Sequence, residues 1–132
     1  MDSPIPVRIS TILVVDDDSD IRDCLNVFLS SKGYRVVCAA NRDDALAHVL
    51  RQPVDVVLVD WFMSGMSLEV FVEKLREVAR SPSLIVTSAG DQLSVKCEEL
   101  SVENYIAKPI DIDKLHLVIR RCLSESRRRL CR

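Results

Sequence analysis

The sequence predicts an α/β fold built on a parallel sheet, because five short apolar segments alternate with five segments of helical periodicity over 132 residues. The first, third and fourth apolar segments are nearly continuous, as expected for strands that helices cover on both faces. Such alternation favours right-handed crossovers within one domain. The expected strands are Ile12–Val15, Val36–Ala40, Val54–Val59, Leu84–Val86 and, more weakly, Tyr105–Ala107.

Each helix is indicated by apolar residues that recur every three or four positions. The first helix has the clearest stripe, and capping residues mark several helix ends. The expected apolar faces are Ile21, Cys24, Leu25, Phe28 and Leu29; Ala45, Leu46, Val49 and Leu50; Val70, Phe71, Leu75, Val78 and Ala79; a poorer set within Gln92–Leu100; and Leu115, Val118, Ile119, Cys122 and Leu123. The expected stops and caps are Asp18 or Ser19, Gly33, Asn41 and, beyond the third helix, Pro82.

Composition excludes several classes of protein. Hydrophobic residues make up 48% and charged residues 29%, a balance typical of a folded domain, and the net charge of -2 gives no general attraction for nucleic acid. No apolar run approaches the roughly 20 residues of a membrane span, and the first residues lack the apolar core of a signal peptide, so we expect a cytoplasmic protein. The five cysteines form no C-x-x-C pair, and most of them are expected to be small core residues.

Polar residues with chemical potential follow four of the predicted strands. Asp16, Asp17 and Asp18 come directly after the first strand, where their mutual repulsion would favour a hard divalent cation such as magnesium. A solvated acidic cluster at a helix N-terminus is an equally good interpretation of these three alone. Asp60 follows the third strand and is placed either as a nucleophile toward phosphorus or as an ordinary turn residue.

The fourth and fifth strands end in a hydroxyl and a cation. Thr87 could donate to a phosphoryl oxygen, and Lys108 carries a compact charge suited to phosphate, with Pro109 as a candidate for a cis bond that aims the lysine inward. Each signal is weak alone. Together they are strong, because the carboxyl ends of parallel strands share one edge of the sheet, where open α/β folds bind ligands. Metal ligands, nucleophile, donor and cation are the parts that phosphoryl transfer needs.

The order and spacing of these motifs resemble the receiver domain of bacterial two-component response regulators, most closely the single-domain chemotaxis type. The motifs are V-V-D-D, V-D-W, V-T-S and Y-I-A-K-P, and the resemblance spans about Ile12 to Leu123. It implies a flavodoxin-like (βα)5 doubly wound sandwich with a five-stranded parallel sheet in the order 2-1-3-4-5. It also implies a cytoplasmic phosphoprotein that works in a His-to-Asp phosphorelay.

The resemblance implies a role for each strand-end residue. Asp60 would accept the phosphoryl group. Magnesium would be held by Asp17 directly, by Asp16 largely through water, by Asp60, and by the backbone carbonyl of Phe62. Thr87 would be the switch hydroxyl, Lys108 would pair with the acceptor or its phosphate, and Tyr105 would be the switch aromatic.

The expected partners are a sensor histidine kinase or histidine phosphotransfer protein and a downstream target, which would read the face made by the fourth helix, fifth strand and fifth helix. We expect no direct nucleic-acid or membrane contact, and a monomer or a weak phosphorylation-dependent dimer. The chain would be no enzyme beyond catalysing its own phosphorylation and dephosphorylation.

Three departures from the family pattern lead to specific expectations. Ser64 replaces the usual proline four residues after the acceptor and Ser67 replaces an Asp-Gly pair, so we expect an altered loop. The residues before Tyr105 lack the usual Gly-Ala, so we expect a short or mobile fourth helix. Phe62 is bulky and apolar where many relatives carry a polar residue, so we expect slow self-dephosphorylation.

An interaction module that keeps the fold and docks partners without phosphorylation is the main alternative function. A calcium loop at Asp16 to Asp20 is rejected, because Ile21 occupies the position that needs glycine. A haloacid-dehalogenase-type phosphatase is disfavoured, because Phe62 stands where its second aspartate belongs. The predicted organisation is an N-terminal tail (1–11), the receiver domain (12–124) and a basic C-terminal tail (125–132), whose arginines are better explained as a solvated helix end than as a nucleic-acid site.

Overall fold

The computed structural model describes residues 8–90 and 93–130, with side chains described as far as residue 126. Strands and helices alternate five times, as the apolar pattern predicts. The elements are β1 (Thr11–Val15), α1 (Ser19–Ser31), β2 (Arg35–Ala39), α2 (Arg42–Arg51), β3 (Val56–Asp60), α3 (Leu68–Glu77), β4 (Ser83–Ser88), α4 (Leu93–Glu99), β5 (Asn104–Ala107) and α5 (Ile112–Leu130). No helix within the described residues is both long enough and apolar enough to cross a bilayer.

The five strands form one parallel sheet in the order β2-β1-β3-β4-β5, which confirms the predicted flavodoxin-like fold. Alternate residues of each strand face opposite sides of the sheet. Ile12 and Val14 of β1 pack with Leu25 and Ile119 from α1 and α5. Their neighbours Leu13 and Val15 join the opposite core, which α2, α3 and α4 cover. Both faces of the sheet are therefore buried, which explains the continuous apolar runs.

Several helix ends follow the local signals of the sequence. The Asp18 side chain caps α1 by accepting from the amides of Asp20 and Ile21, and Asn41 caps α2 by accepting from the Asp44 amide. Gly33 follows α1 with a φ of 91°, a left-handed conformation that glycine adopts without steric cost. These contacts confirm both predicted N-caps.

Other features differ from the sequence-based expectation. Helix α3 ends at Glu77, and Val78 reaches the core from an extended conformation beyond it. Cys24 is exposed, although its spacing predicts a place on the apolar face of α1, because it lies at the edge of the stripe centred on Leu25 and Leu29. Leu50 of α2 is likewise exposed. Of the four cysteines described, only Cys97 and Cys122 are buried, and Cys131 lies outside the described residues.

The proposed domain limits remain predictions, and the structure adds detail at both ends. Arg8 forms an ion pair of 2.7 Å with Asp55, so the described part of the N-terminal segment contacts the domain. Helix α5 continues to Leu130, so the segment from 125 to 130 prolongs the last helix. The side chains of Arg127, Arg128 and Arg129, and all of residues 1–7, lie outside what the structure describes. Helix α4 has 7 residues and is short, as expected.

Candidate functional site

The strand-end residues meet at one edge of the sheet because of strand register and side-chain alternation. Asp60 pairs directly with Thr87 across β3 and β4, and Val15 pairs with Val59, which brings the following Asp16 beside Asp60. Asp16, Asp60, Thr87 and Lys108 each lie two residues beyond a residue of the α1/α5 core, and so they share that side of the sheet. The folding pattern therefore collects residues that are up to 92 positions apart in sequence.

Three carboxylates form a compact acidic cluster at this edge. One oxygen each from Asp16, Asp17 and Asp60 lie within 4.8 Å of one another. Asp16 and Asp60 are 3% and 6% exposed, whereas Asp17 opens to solvent. Asp18, the third acidic residue of the run, caps α1 and is not in the cluster. Carboxylate oxygens converging in this way match the hard oxygen donors that magnesium prefers, so the residues fit such an ion.

Lys108 joins the two buried carboxylates. Its Nζ lies 2.9 Å from Oδ2 of Asp16 and 3.4 Å from Oδ1 of Asp60. The Lys108 backbone N–H donates to the Ser88 carbonyl at 2.8 Å, and the Lys108–Pro109 peptide bond is cis, as the sequence suggested. Burial disfavours the ammonium, yet hydrogen bonding and attraction from Asp16, followed by Asp60, raise the pKa of Lys108 overall.

The environment of Asp60, the acceptor candidate, disfavours the ionised form of its carboxyl group. Burial is the main cause that raises the pKa of Asp60, and the charge of Asp16 adds to it. Lys108 opposes this rise through its charge and a hydrogen bond, and the Phe62 backbone N–H opposes it by donating to the carboxylate. Buried acidic groups whose pKa is perturbed by a specific charged partner are typical of functional sites.

Substitution of Asp60 by asparagine is expected to stabilise the metal-free protein at neutral pH. Because folding raises the pKa of Asp60, the contribution of this group to stability is greatest below its unfolded pKa and is lost as pH rises through the folded value. Asparagine carries no charge and so avoids the destabilisation that ionised Asp60 causes at neutral pH. We therefore expect a gain of about 1 kcal/mol in the free energy of unfolding. Urea denaturation in a chelating buffer at pH 7 measures it. The gain should shrink at acidic pH, and a less stable variant at pH 7 would contradict the argument.

The switch candidates occupy different environments. Thr87 is buried, and its backbone carbonyl accepts from the Trp61 N–H at 2.8 Å. Tyr105, which pairs with Val86 in the sheet, is 40% exposed beside a crevice formed with Ser94 and Glu98 of α4. The two side chains therefore lie on neighbouring strands, with the tyrosine turned outward.

Phe62 carries an exposed aromatic ring two residues beyond Asp60. Its ring is half exposed and lies against the β4–α4 loop, so close that a Cβ at Gly90 would stand 3.1 Å from Cε2. The Nζ of Lys96 lies 5.3 Å from the centre of this ring and 5.4 Å from that of Trp61, distances suited to cation–π attraction. The rings and the α4 lysine thus connect the loop after Asp60 to the fourth helix.

Arg42 is a functional candidate that the sequence analysis missed. It is 2% exposed, and its guanidinium donates to the backbone carbonyls of Asp60, Trp61 and Met66, each at 2.8 Å. One feature of the sequence could have indicated its role. A cation in the first turn of a helix is disfavoured by the helix dipole, and this indicates a partner elsewhere in the fold.

Comparison with known proteins gives the family. The model of the response regulator receiver domain matches residues 12–120. Over 114 residues the chain is 31% identical to sporulation initiation phosphotransferase F of Bacillus subtilis, a match that covers 85% of this chain and 92% of that protein. The chain belongs to the response regulator receiver domains of two-component systems, a class of phosphoacceptor signalling domains.

Other relatives are longer proteins. The chain is 34% identical over 117 residues to a cyclic di-GMP phosphodiesterase of Thermotoga maritima, a match that covers 86% of this chain but 31% of that protein. It likewise spans 41% of the transcriptional regulatory protein ResD of Bacillus subtilis. The chain therefore spans less than half the length of several curated relatives that it matches.

Solved receiver structures have the same fold. A CheY-like receiver domain from Methanospirillum hungatei superposes with a TM-score of 0.84 at 27% identity, covering 92% of this chain and 99% of that one. The response regulator TrrA of Thermotoga maritima, solved in complex with Mg²⁺-BeF, superposes with a TM-score of 0.78 at 26% identity, covering 87% of this chain and 100% of that one.

Proposed function

We propose that this receiver domain is a magnesium-dependent switch that accepts a phosphoryl group on Asp60 from a histidine kinase or a histidine phosphotransfer protein. The observation that carries the proposal is the convergence of carboxylate oxygens of Asp16, Asp17 and Asp60 within 4.8 Å, with Lys108 ion-paired to Asp16 and Asp60. A receiver structure containing Mg²⁺-BeF at 26% identity supports the same assignment. A cytoplasmic location, expected from the sequence, belongs to this proposal.

The chemistry follows from the positions of the side chains. An oxygen of the ionised Asp60 carboxylate forms a bond to phosphorus while the bond from phosphorus to the donor imidazole nitrogen breaks, and a proton returns to that nitrogen. Asp16, Asp17, Asp60 and the Phe62 carbonyl would hold magnesium, which would neutralise charge on the phosphoryl oxygens. Lys108 would bind one of those oxygens, and Thr87 would donate to another.

Signalling would use the surface beside the site, defined here as the α4–β5–α5 face. Arg121 of α5 donates to Asn104 of β5 at 2.8 Å, and Tyr105, Val95 and Leu117 are exposed on these three elements. In the proposed switch, Thr87 moves toward the phosphoryl group and Tyr105 turns in behind it. This change selects one of two existing arrangements of the face and so alters the binding of the downstream target.

The proposed function is tested by adding beryllofluoride, a mimic of an aspartyl phosphate, in the presence of magnesium. Trp61 adjoins Asp60 and carries the Lys96 ammonium over its ring, so its fluorescence should change on binding. An Asp60→Asn variant provides the control and should give no change with beryllofluoride. Unchanged fluorescence in the wild type would favour the alternative function, a receiver-like module that docks partners without phosphorylation.

Magnesium is expected to raise the melting temperature, because it binds the assembled carboxylates and not the unfolded chain. At ten times its dissociation constant the gain is about 1.4 kcal/mol, which corresponds to about 5 °C for a domain of this size. Thermal melts followed by circular dichroism, without magnesium and with magnesium at ten times its dissociation constant, measure the shift. Asp17→Asn should reduce the shift, whereas Asp18→Asn should retain it. Identical wild-type curves would contradict a metal site.

Phe62→Asn is expected to speed loss of the phosphoryl group by about 10-fold, the effect of one oriented hydrogen bond of about 1.4 kcal/mol. The phenyl ring hinders water and offers no donor or acceptor, whereas the amide can orient a water molecule. Phe62→Leu is the matched control, because it shortens the side chain without adding a polar group. Phosphate release after removal of the donor measures both rates. Equal rates in Phe62→Asn and wild type would show that Phe62 does not slow the loss of the phosphoryl group.

A further inference from the structure

Arg42 links both ends of the loop that follows the acceptor. One terminal nitrogen, Nη2, donates to the carbonyls of Asp60 and Trp61, and the other, Nη1, donates to the carbonyl of Met66, each at 2.8 Å. Met66 immediately precedes Ser67, which caps α3 by accepting from the Val70 amide. A single guanidinium therefore spans the loop from the end of β3 to the start of α3.

Placing Arg42 there has a cost. Burial lowers the pKa of the guanidinium, and the carboxylates of Asp60 and Glu69 only partly oppose this. Its Nε is buried without a hydrogen-bond partner among the described residues, and its charge stands in the first turn of α2, where the helix dipole disfavours cations. The hydrogen bonds of Arg42 to the loop must therefore offset the free-energy cost of burying its guanidinium.

The benefit lies in the loop itself. Its sequence from Trp61 to Ser67 contains no proline, and Gly65 adopts a φ of 90°, so the backbone has little intrinsic restraint. The Trp61 carbonyl shares a peptide unit with the Phe62 N–H, whose interaction with the Asp60 carboxylate acts to lower the pKa of Asp60, and the Asp60 carbonyl belongs to the preceding unit. Orienting these two carbonyls therefore sets the direction of the Phe62 backbone toward the acidic cluster.

We propose that Arg42 is a positioning residue of the phosphorylation site, which fixes the loop so that the Phe62 backbone meets the acceptor and its metal. The inference rests on the proposed function of Asp60. Arg42 acts through the carbonyls and contacts neither the phosphoryl group nor magnesium. It restrains the loop by hydrogen bonds where proline would restrain it by its ring.

Arg42→Met removes the charge and the donors, and Arg42→Lys keeps the charge and part of the donation. Loss of the loop restraint should outweigh the extra negative charge left near Asp60, so we expect magnesium to bind Arg42→Met about 10-fold more weakly by Trp61 fluorescence. Phosphorylation by acetyl phosphate should slow by about 10-fold or more, with Arg42→Lys between this variant and the wild type. Arg76→Met is the matched control. Arg76 donates to two loop carbonyls, those of Leu100 and Ser101, each at 2.9 Å, away from the acidic cluster.

The outcomes separate the two claims. A wild-type protein that acetyl phosphate never modifies overturns the proposed function. A reactive wild type, with folded Arg42 variants that match it in magnesium affinity and rate, overturns the role of Arg42 alone, as would equal losses in Arg76→Met. If the Arg42 variants do not fold, the guanidinium nitrogen resonances of wild-type Arg42 decide. Slow exchange of the guanidinium protons and a chemical-shift change on adding magnesium support the inference. Resonances whose chemical shifts do not change with magnesium refute it.

Discussion

Replacing Asp60 with asparagine is expected to abolish covalent phosphorylation by acetyl phosphate, reducing its rate by about 1000-fold or more. An amide oxygen is a far weaker nucleophile toward phosphorus than a carboxylate oxygen. Electrophoresis that retards phosphoproteins measures the modified fraction, and mass spectrometry adds its position.

Two control variants make this result specific. Asp18→Asn changes the neighbouring acid that caps α1 and keeps a good capping residue, so phosphorylation should persist. Asp55→Asn changes an acid at the opposite end of β3, where it accepts from the Thr11 amide at 2.8 Å, and phosphorylation should persist there too. Undiminished phosphate incorporation in Asp60→Asn would show that another residue accepts the phosphoryl group.

Replacing Lys108 with methionine is expected to have opposite effects on metal binding and on phosphorylation. The Nζ lies within 3.4 Å of both buried carboxylates, and without it their negative charge is unbalanced. Magnesium should therefore bind more tightly, because the cluster is more negative. Phosphorylation should nevertheless slow by about 100-fold, the typical effect of losing one group that stabilises developing charge.

This opposition distinguishes Lys108 from a residue that merely maintains the fold. A loss of structure would weaken metal binding and slow phosphorylation together. Lys114→Met, at an exposed position on α5, is the control and should change neither quantity. Titration with magnesium, followed by Trp61 fluorescence, gives the affinity, and the time course with acetyl phosphate gives the rate. Weaker metal binding, or an unchanged rate, would contradict the proposed role of Lys108.

Much of the fold could be predicted because its signals are local. Continuous apolar runs mark the buried strands, and Asp18 and Asn41 mark helix starts by contacts that span two or three residues. The clustering of Asp16, Asp60 and Lys108 could also be anticipated, since parallel strands end at one edge. The strand order came from the family resemblance, because periodicity alone does not choose among arrangements of five strands.

The remaining features depend on contacts between distant segments. Arg42 is buried by carbonyls 18 to 24 residues away, and no local pattern reveals that a loop will fold back over a helix start. Cys24 lies at the edge of the apolar stripe of α1, where a small change in helix rotation decides exposure. Helical periodicity predicts that α3 continues through Val78, but the helix ends at Glu77. Val78 packs from an extended backbone, which the apolar pattern does not distinguish from a helix.

The central claim is that one metal-assisted phosphoryl site is formed by residues from β1, β3, β4 and β5. A crystal structure grown with magnesium and beryllofluoride tests it most directly. We predict the beryllium bonded to an Asp60 carboxylate oxygen, magnesium held by Asp17, Asp60 and the Phe62 carbonyl, and fluorides within reach of Thr87 and Lys108. Magnesium bound away from these carboxylates, or an Asp60 side chain without beryllofluoride at saturating concentration, would contradict the account.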